Sequence, residues 1–174
     1  MPAHFLHGDS YLVQRRMSQL EAEAGAEDVL DANRHRLMGP QTNLNELVTI
    51  CNALPFMDSH RLVVVEGLLA TFERRPRRGR RRSSDNQASG GALGGWEGLD
   101  QAIAGMPDTT LLIFLDTTLP DTNPMLQHLR KTAEIHGSPT PSGEALARWI
   151  KATVEEKGAS ISPSAIGSLT AMAG

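Results

Sequence analysis

Arg61-Leu62-Val63-Val64-Val65-Glu66 is an aliphatic, β-branched run with no polar alternation. A strand of that kind is covered on both faces, which is the condition of a parallel sheet flanked by helices. A second such strand spans residues 111–115 and ends at Asp116. Between the two, Trp96, Leu99, Ile103 and Met106 recur at helical spacing, giving the order strand, crossover helix, strand. Upstream, a short strand over residues 3–7 stops at Gly8, and Val13, Met17, Leu20 and Ala24 trace a helix closed by Gly25. Val29 and Leu30 read as a short second strand. Asn43 and Glu46 form a capping pair for a helix whose apolar face is Leu44, Leu47, Val48, Cys51 and Leu54, ending at Pro55. Pro124 opens a further helix carrying Met125, Leu129 and Ala133. The fold class is therefore α/β, a parallel sheet with flanking helices.

Composition bounds what such a fold can do. The chain has 174 residues, with 17 Lys plus Arg against 20 Asp plus Glu. Seven of the arginines lie within residues 74–82, where there is no acid: Arg74, Arg75, Arg77, Arg78, Arg80, Arg81 and Arg82. Without them 10 basic residues face 20 acidic ones, so an acidic body carries one basic segment. That balance argues against a fold that coats nucleic acid over its whole surface. Aromatic residues are only 4% of the chain, which makes the core aliphatic. The lone cysteine, Cys51, forms no internal disulfide and reads as core filler in a reducing compartment. Neither a secretory signal nor a membrane-spanning run is present, and a cytoplasmic protein with no membrane partner is expected.

Residues 73–95 combine the arginines with Ser83, Ser84 and five glycines, and read as a flexible surface insertion. The stretch from Gly137 to Gly143 has the look of a domain hinge. Beyond it Leu146, Trp149, Ile150 and Val154 form an amphipathic helix closed by Gly158, and Ser162-Pro163 starts another with Ile166 and Leu169. Two helices bury their own apolar faces poorly, so a partner or a missing C-terminal part is expected.

The turn after the first strand is where backbone N–H groups and a helix N-terminus would hold phosphate. It reads Gly8-Asp9-Ser10-Tyr11-Leu12, without the second glycine and lysine of a P-loop and with Asp9 where phosphate would sit. Nucleotide hydrolysis there is not expected. Asp116 holds the place of a Mg²⁺-binding acid, but no second carboxylate follows it, and a strand-end capping role is the better reading. Gly8-Asp9-Ser10 also has the letters of a GDSL-type esterase block with Ser10 as nucleophile; the later Asp-x-x-His pair is absent, since Asp58-Ser59-His60 is one residue short. The histidines show no zinc-binding helical pair, so no metal or cofactor is expected. The arginine run is read either as a solvated linker or as a salt-sensitive DNA contact. Leu54, Pro55, Phe56 and Met57 lie at a turn between helix and strand. Composition alone favours tucking them beneath the sheet edge, because an exposed apolar cluster is costly without a partner; an outward plug for another protein's pocket is the alternative.

The order of these blocks resembles the delta subunit of the bacterial DNA polymerase III clamp loader. The resemblance rests on residues 4–12 (His-Phe-Leu-His-Gly-Asp-Ser-Tyr-Leu), 52–65 (Asn-Ala-Leu-Pro-Phe-Met-Asp-Ser-His-Arg-Leu-Val-Val-Val), 110–115 (Thr-Leu-Leu-Ile-Phe-Leu), 143–150 (Gly-Glu-Ala-Leu-Ala-Arg-Trp-Ile) and 158–165 (Gly-Ala-Ser-Ile-Ser-Pro-Ser-Ala). It implies an AAA+-like, P-loop NTPase-type first domain over 1–140, the beginning of a helical lid domain over 141–174, and an absent C-terminal collar. It also implies a subunit without intrinsic activity that binds the sliding clamp (the beta subunit) and helps open it for loading onto primed DNA during replication. Its other partners would be clamp-loader subunits of the gamma/tau and delta-prime types, and any DNA-directed DNA polymerase or nucleotidyltransferase label would belong to the holoenzyme. The plug maps onto Leu54, Pro55, Phe56 and Met57, with Phe56 the principal anchor and Pro55 where relatives often carry leucine. Residues 73–95 depart from the family pattern, as do residues 137–141, where a last sheet strand is expected.

Overall fold

A computed structural model describes residues 3–26, 28–73 and 93–173. Five parallel strands, β1 (Ala3–Gly8), β2 (Arg34–Met38), β3 (Arg61–Glu66), β4 (Thr110–Asp116) and β5 (Glu134–Ser138), form one sheet in the order β2-β3-β4-β1-β5. The two continuous aliphatic runs occupy its centre, as the absence of polar alternation requires. Alternate residues of β3 feed opposite cores: Leu62 and Val64 meet Met17 and Leu20 of α1 (Ser10–Glu23), with Leu6, Leu111 and Ile113 from the neighbouring strands. Val63 and Val65 face the other way, with Phe5, Leu112 and Phe114. That second core is closed by Leu47 and Cys51 of α2 (Leu44–Asn52), Leu99 and Ile103 of α3 (Leu99–Ala104), and Met125, Leu126 and Leu129 of α4 (Pro124–Leu129). Burial pushes the Cys51 thiol up to about 12, so it packs as an inert small hydrophobe.

Local signals explain the element boundaries. Asn43 caps α2 by accepting from Glu46 N at 3.0 Å, and Asn123 caps α4 by accepting from Met125 N and Leu126 N. Buried Asn123 also donates to Leu69 O at 2.8 Å, tying α4 to the 3-10 turn Leu69–Phe72.

Three expectations need correction. Val29 and Leu30 are not a strand: Val29 packs beneath the sheet near α1, and Leu30 leads into the 3-10 turn Asp31–Asn33, so β2 begins only at Arg34. Its arginine-rich sequence hid it, because an edge strand needs no continuous apolar run. The stretch at Gly137 is not purely a hinge either; Gly137 and Ser138 complete β5, which pairs with β1. Glycine carries no strand signal, yet it fits closely here, since a Cβ at Gly137 would lie 3.2 Å from the His7 ring, which would have to give way by a few tenths of an ångström. Ala133 is buried, but it follows α4, which ends at Leu129.

The chain divides into two units, Met1–Ser138 and Pro139–Gly174. The second holds α5 (Gly143–Glu156) and α6 (Pro163–Ala173). Gly158, at φ +74°, turns the chain out of α5, and Ser162 Oγ accepts from Ala165 N to start α6. On α6 Leu169 and Met172 are exposed. Among the described residues no helix is long and apolar enough to cross a membrane.

Candidate functional site

In an open parallel sheet, ligands sit beyond the carboxyl ends of the strands where the strand order reverses. Here that point lies between β1 and β4, which places the Gly8-Asp9-Ser10 turn and Asp116 at the position of a nucleotide site. Both are already filled by the protein itself. Asp9 Oδ1 accepts from Tyr11 N at 3.0 Å and Leu12 N at 3.1 Å, so the helix N–H groups that would cradle phosphate hold the chain's own carboxylate. Asp9 N donates to Ser138 O at 2.7 Å, which closes the turn against the end of β5. Asp116 is capped likewise: Leu69 N and Ala70 N donate to Oδ2, and Thr117 N to Oδ1. Burial nevertheless raises its pKa from the ordinary aspartate value, against the lowering effect of these backbone bonds. Ser10 opens α1 and is exposed. Among the described residues the Ser–His hydrogen bond is Ser59 Oγ to His60 Nδ1 at 2.9 Å, between sequence neighbours, and it does not involve Ser10.

The apolar turn overturns the burial expected from composition. Leu54, Phe56 and Met57 are 79%, 62% and 83% exposed, while Pro55 is half-buried beneath them. The reason is the backbone, which two buried polar side chains hold. Asn33, fully buried, donates from Nδ2 to Phe56 O at 2.9 Å and accepts from Phe56 N at 2.7 Å, pairing with both polar groups of that residue. Arg61, also buried, donates from Nε to Ala53 O at 3.0 Å and from Nη2 to Leu54 O at 2.9 Å, and its Nη1 lies against His35 Nε2. Asp58 Oδ2 accepts from Leu30 N at 2.9 Å and Oδ1 from Ser59 N at 2.7 Å; these backbone bonds, Leu30's first, hold its carboxyl below the ordinary value. Met57 sits at φ +52°, an unusual conformation for a residue with a side chain. With the backbone polar groups satisfied from beneath, the apolar side chains have only the outward direction left.

Sequence reasoning missed the two supports, Asn33 and Arg61. A cation opening an aliphatic strand, eight residues after Ala53, was the available signal for Arg61; Asn33 had none, because its role depends on a contact 23 residues away. Also missed was a convergence of His4, Glu134 and His136, which the pairing of β1 with β5 brings together. Arg74, Arg75, Arg77, Arg78, Arg80, Arg81 and Arg82 lie outside the described residues.

The fold is thus a five-stranded parallel α/β domain in which Asp9 and Asp116, at the carboxyl ends of β1 and β4, are bound by the chain's own backbone N–H groups. It is similar to the Bacillus subtilis DNA clamp loader delta protein (YqeN), with a TM-score of 0.69 and 16% sequence identity over 95% of this chain and 46% of that one. The chain spans about half the length of that structure. No family model matches the sequence, and no curated protein matches it.

Proposed function

We propose that this chain is a delta-type component of a clamp loader, which binds the ring-shaped sliding clamp through Leu54, Phe56 and Met57 and hydrolyses no nucleotide. The observation that carries the reading is the outward apolar turn on a backbone fixed by Asn33 and Arg61. An apolar cluster on a protein surface marks a docking site. Ordering a loop at an interface costs affinity, and a turn already held in place avoids most of that cost. Phe56 is the central anchor, since a rigid ring entering an apolar pocket buries much area with few rotatable bonds. Pro55, half-buried at the same turn, completes the contact with less exposed surface than its neighbours.

In this reading the filled turn at Asp9 leaves the ATP-driven step to neighbouring subunits, its partners are of the gamma/tau and delta-prime types, and loading onto primed DNA is a property of the assembly in the cytoplasm. Residues 1–140 form the clamp-binding domain and residues 141–174 the beginning of a lid. The similarity in fold to a clamp loader delta protein supports the assignment. Hydrogen exchange of the full chain with and without the clamp tests the contact: protection is expected over residues 53–59. Clamp-dependent protection elsewhere, with that turn unchanged, would contradict it.

A further inference from the structure

Beside β1 at the β5 edge of the sheet, well separated in the chain from the apolar turn, three side chains converge that the proposed function does not use. His4 faces Glu134 across the β1 and β5 pairing, and His136 stands two residues further along β5, so all three share one face of the sheet. His4 Nδ1 lies 3.2 Å from His136 Nε2 and 3.6 Å from Glu134 Oε2, and His136 Nε2 lies 3.7 Å from Glu134 Oε1. Ligands about 2.0 to 2.1 Å from a tetrahedral zinc ion are separated from each other by about 3.3 Å. The three side chains therefore stand at nearly the mutual spacing that such an ion imposes. Among the described residues this is the one group of three potential ligand side chains so placed.

We propose that His4, Glu134 and His136 form a three-ligand site for a divalent transition metal of the zinc class, with the fourth position left to water. Two imidazoles and one carboxylate are a borderline-soft donor set, suited to zinc, cobalt or nickel rather than to magnesium or calcium. Each ring turns one nitrogen into the cluster, His4 Nδ1 and His136 Nε2, and a neutral imidazole can offer that nitrogen as a donor. Arg16 is the cation that faces the cluster from α1, and Glu23 holds it at 3.0 Å. His4 also borders a cavity of about 370 Å³ lined in part by Glu23, His60 and Asp108, which gives water a route to the buried ligand.

The test is calorimetric titration of the chelator-stripped full chain with Zn²⁺ alone, followed by Co²⁺ absorption to read coordination. One equivalent per chain is expected, with a d–d spectrum of low coordination number. Affinity should fall at least tenfold in His136→Asn and in Glu134→Gln, both folded by circular dichroism. Glu134 is more than half exposed, so Glu134→Gln keeps the test open should His136→Asn fail to fold. Absence of one-to-one binding by the folded chain would overturn the proposal. So would undiminished binding in the folded variants, which would place the metal on other histidines.

Discussion

Phe56→Ala is expected to weaken binding to the sliding clamp at least about tenfold, roughly 1.4 kcal/mol, while leaving the thermal midpoint of the chain unchanged. The two halves of this expectation come from separate observations. Phe56 is 62% exposed, so its ring contributes little to the core and its removal opens no cavity. Its backbone, by contrast, is bound at both polar groups by Asn33, and those bonds survive truncation of the side chain. A variant that loses stability along with affinity would show that Phe56 is part of the core in solution. A folded variant with undiminished affinity would remove Phe56 from the contact.

Gly8→Ala carries the largest expected effect on stability, a loss of about 3 kcal/mol or more, read from urea unfolding. Gly8 has φ +121°, a region closed to residues with a side chain, and an added Cβ would lie 2.1 Å from Ser138 O. Neither obstacle yields to a change of rotamer, because the opposing atom is backbone. The clash lies at the seal between the β1 turn and the end of β5, the same seal made by the Asp9 N to Ser138 O bond. A loss below about 1 kcal/mol would mean that β5 moves away from the turn easily, and that the position of a nucleotide site is less closed than the geometry requires.

The central strands and their helices were legible because doubly covered strands and amphipathic helices leave periodic apolar signals. Residues 61–66 and 111–115 needed no tertiary knowledge to place. The two edge strands were not legible for the converse reason. β2 reads Arg-His-Arg-Leu-Met and β5 reads Glu-Ile-His-Gly-Ser, and both owe their extended form to pairing with β3 and β1 rather than to their own residues.

The candidate site was legible in identity, but its direction was not legible from composition and came only from the resemblance, which implied an outward plug. Composition put Leu54, Phe56 and Met57 inside because burial is the default for apolar side chains, whereas the structure turns them out because Asn33 and Arg61 take the inner side of the turn. Long-range pairing of that kind has no local signature. The same holds for His4, Glu134 and His136, which are separated by some 130 residues and meet only once β5 is placed beside β1.

The central claim is that the outward turn is a docking surface for the sliding clamp. Its most direct test is calorimetric titration of the full chain with the clamp from the same cell. Binding at micromolar affinity or tighter is the predicted result. A well-folded chain that gives no heat and does not comigrate with the clamp would contradict the account, leaving the likeness to the clamp loader delta protein as one of fold alone.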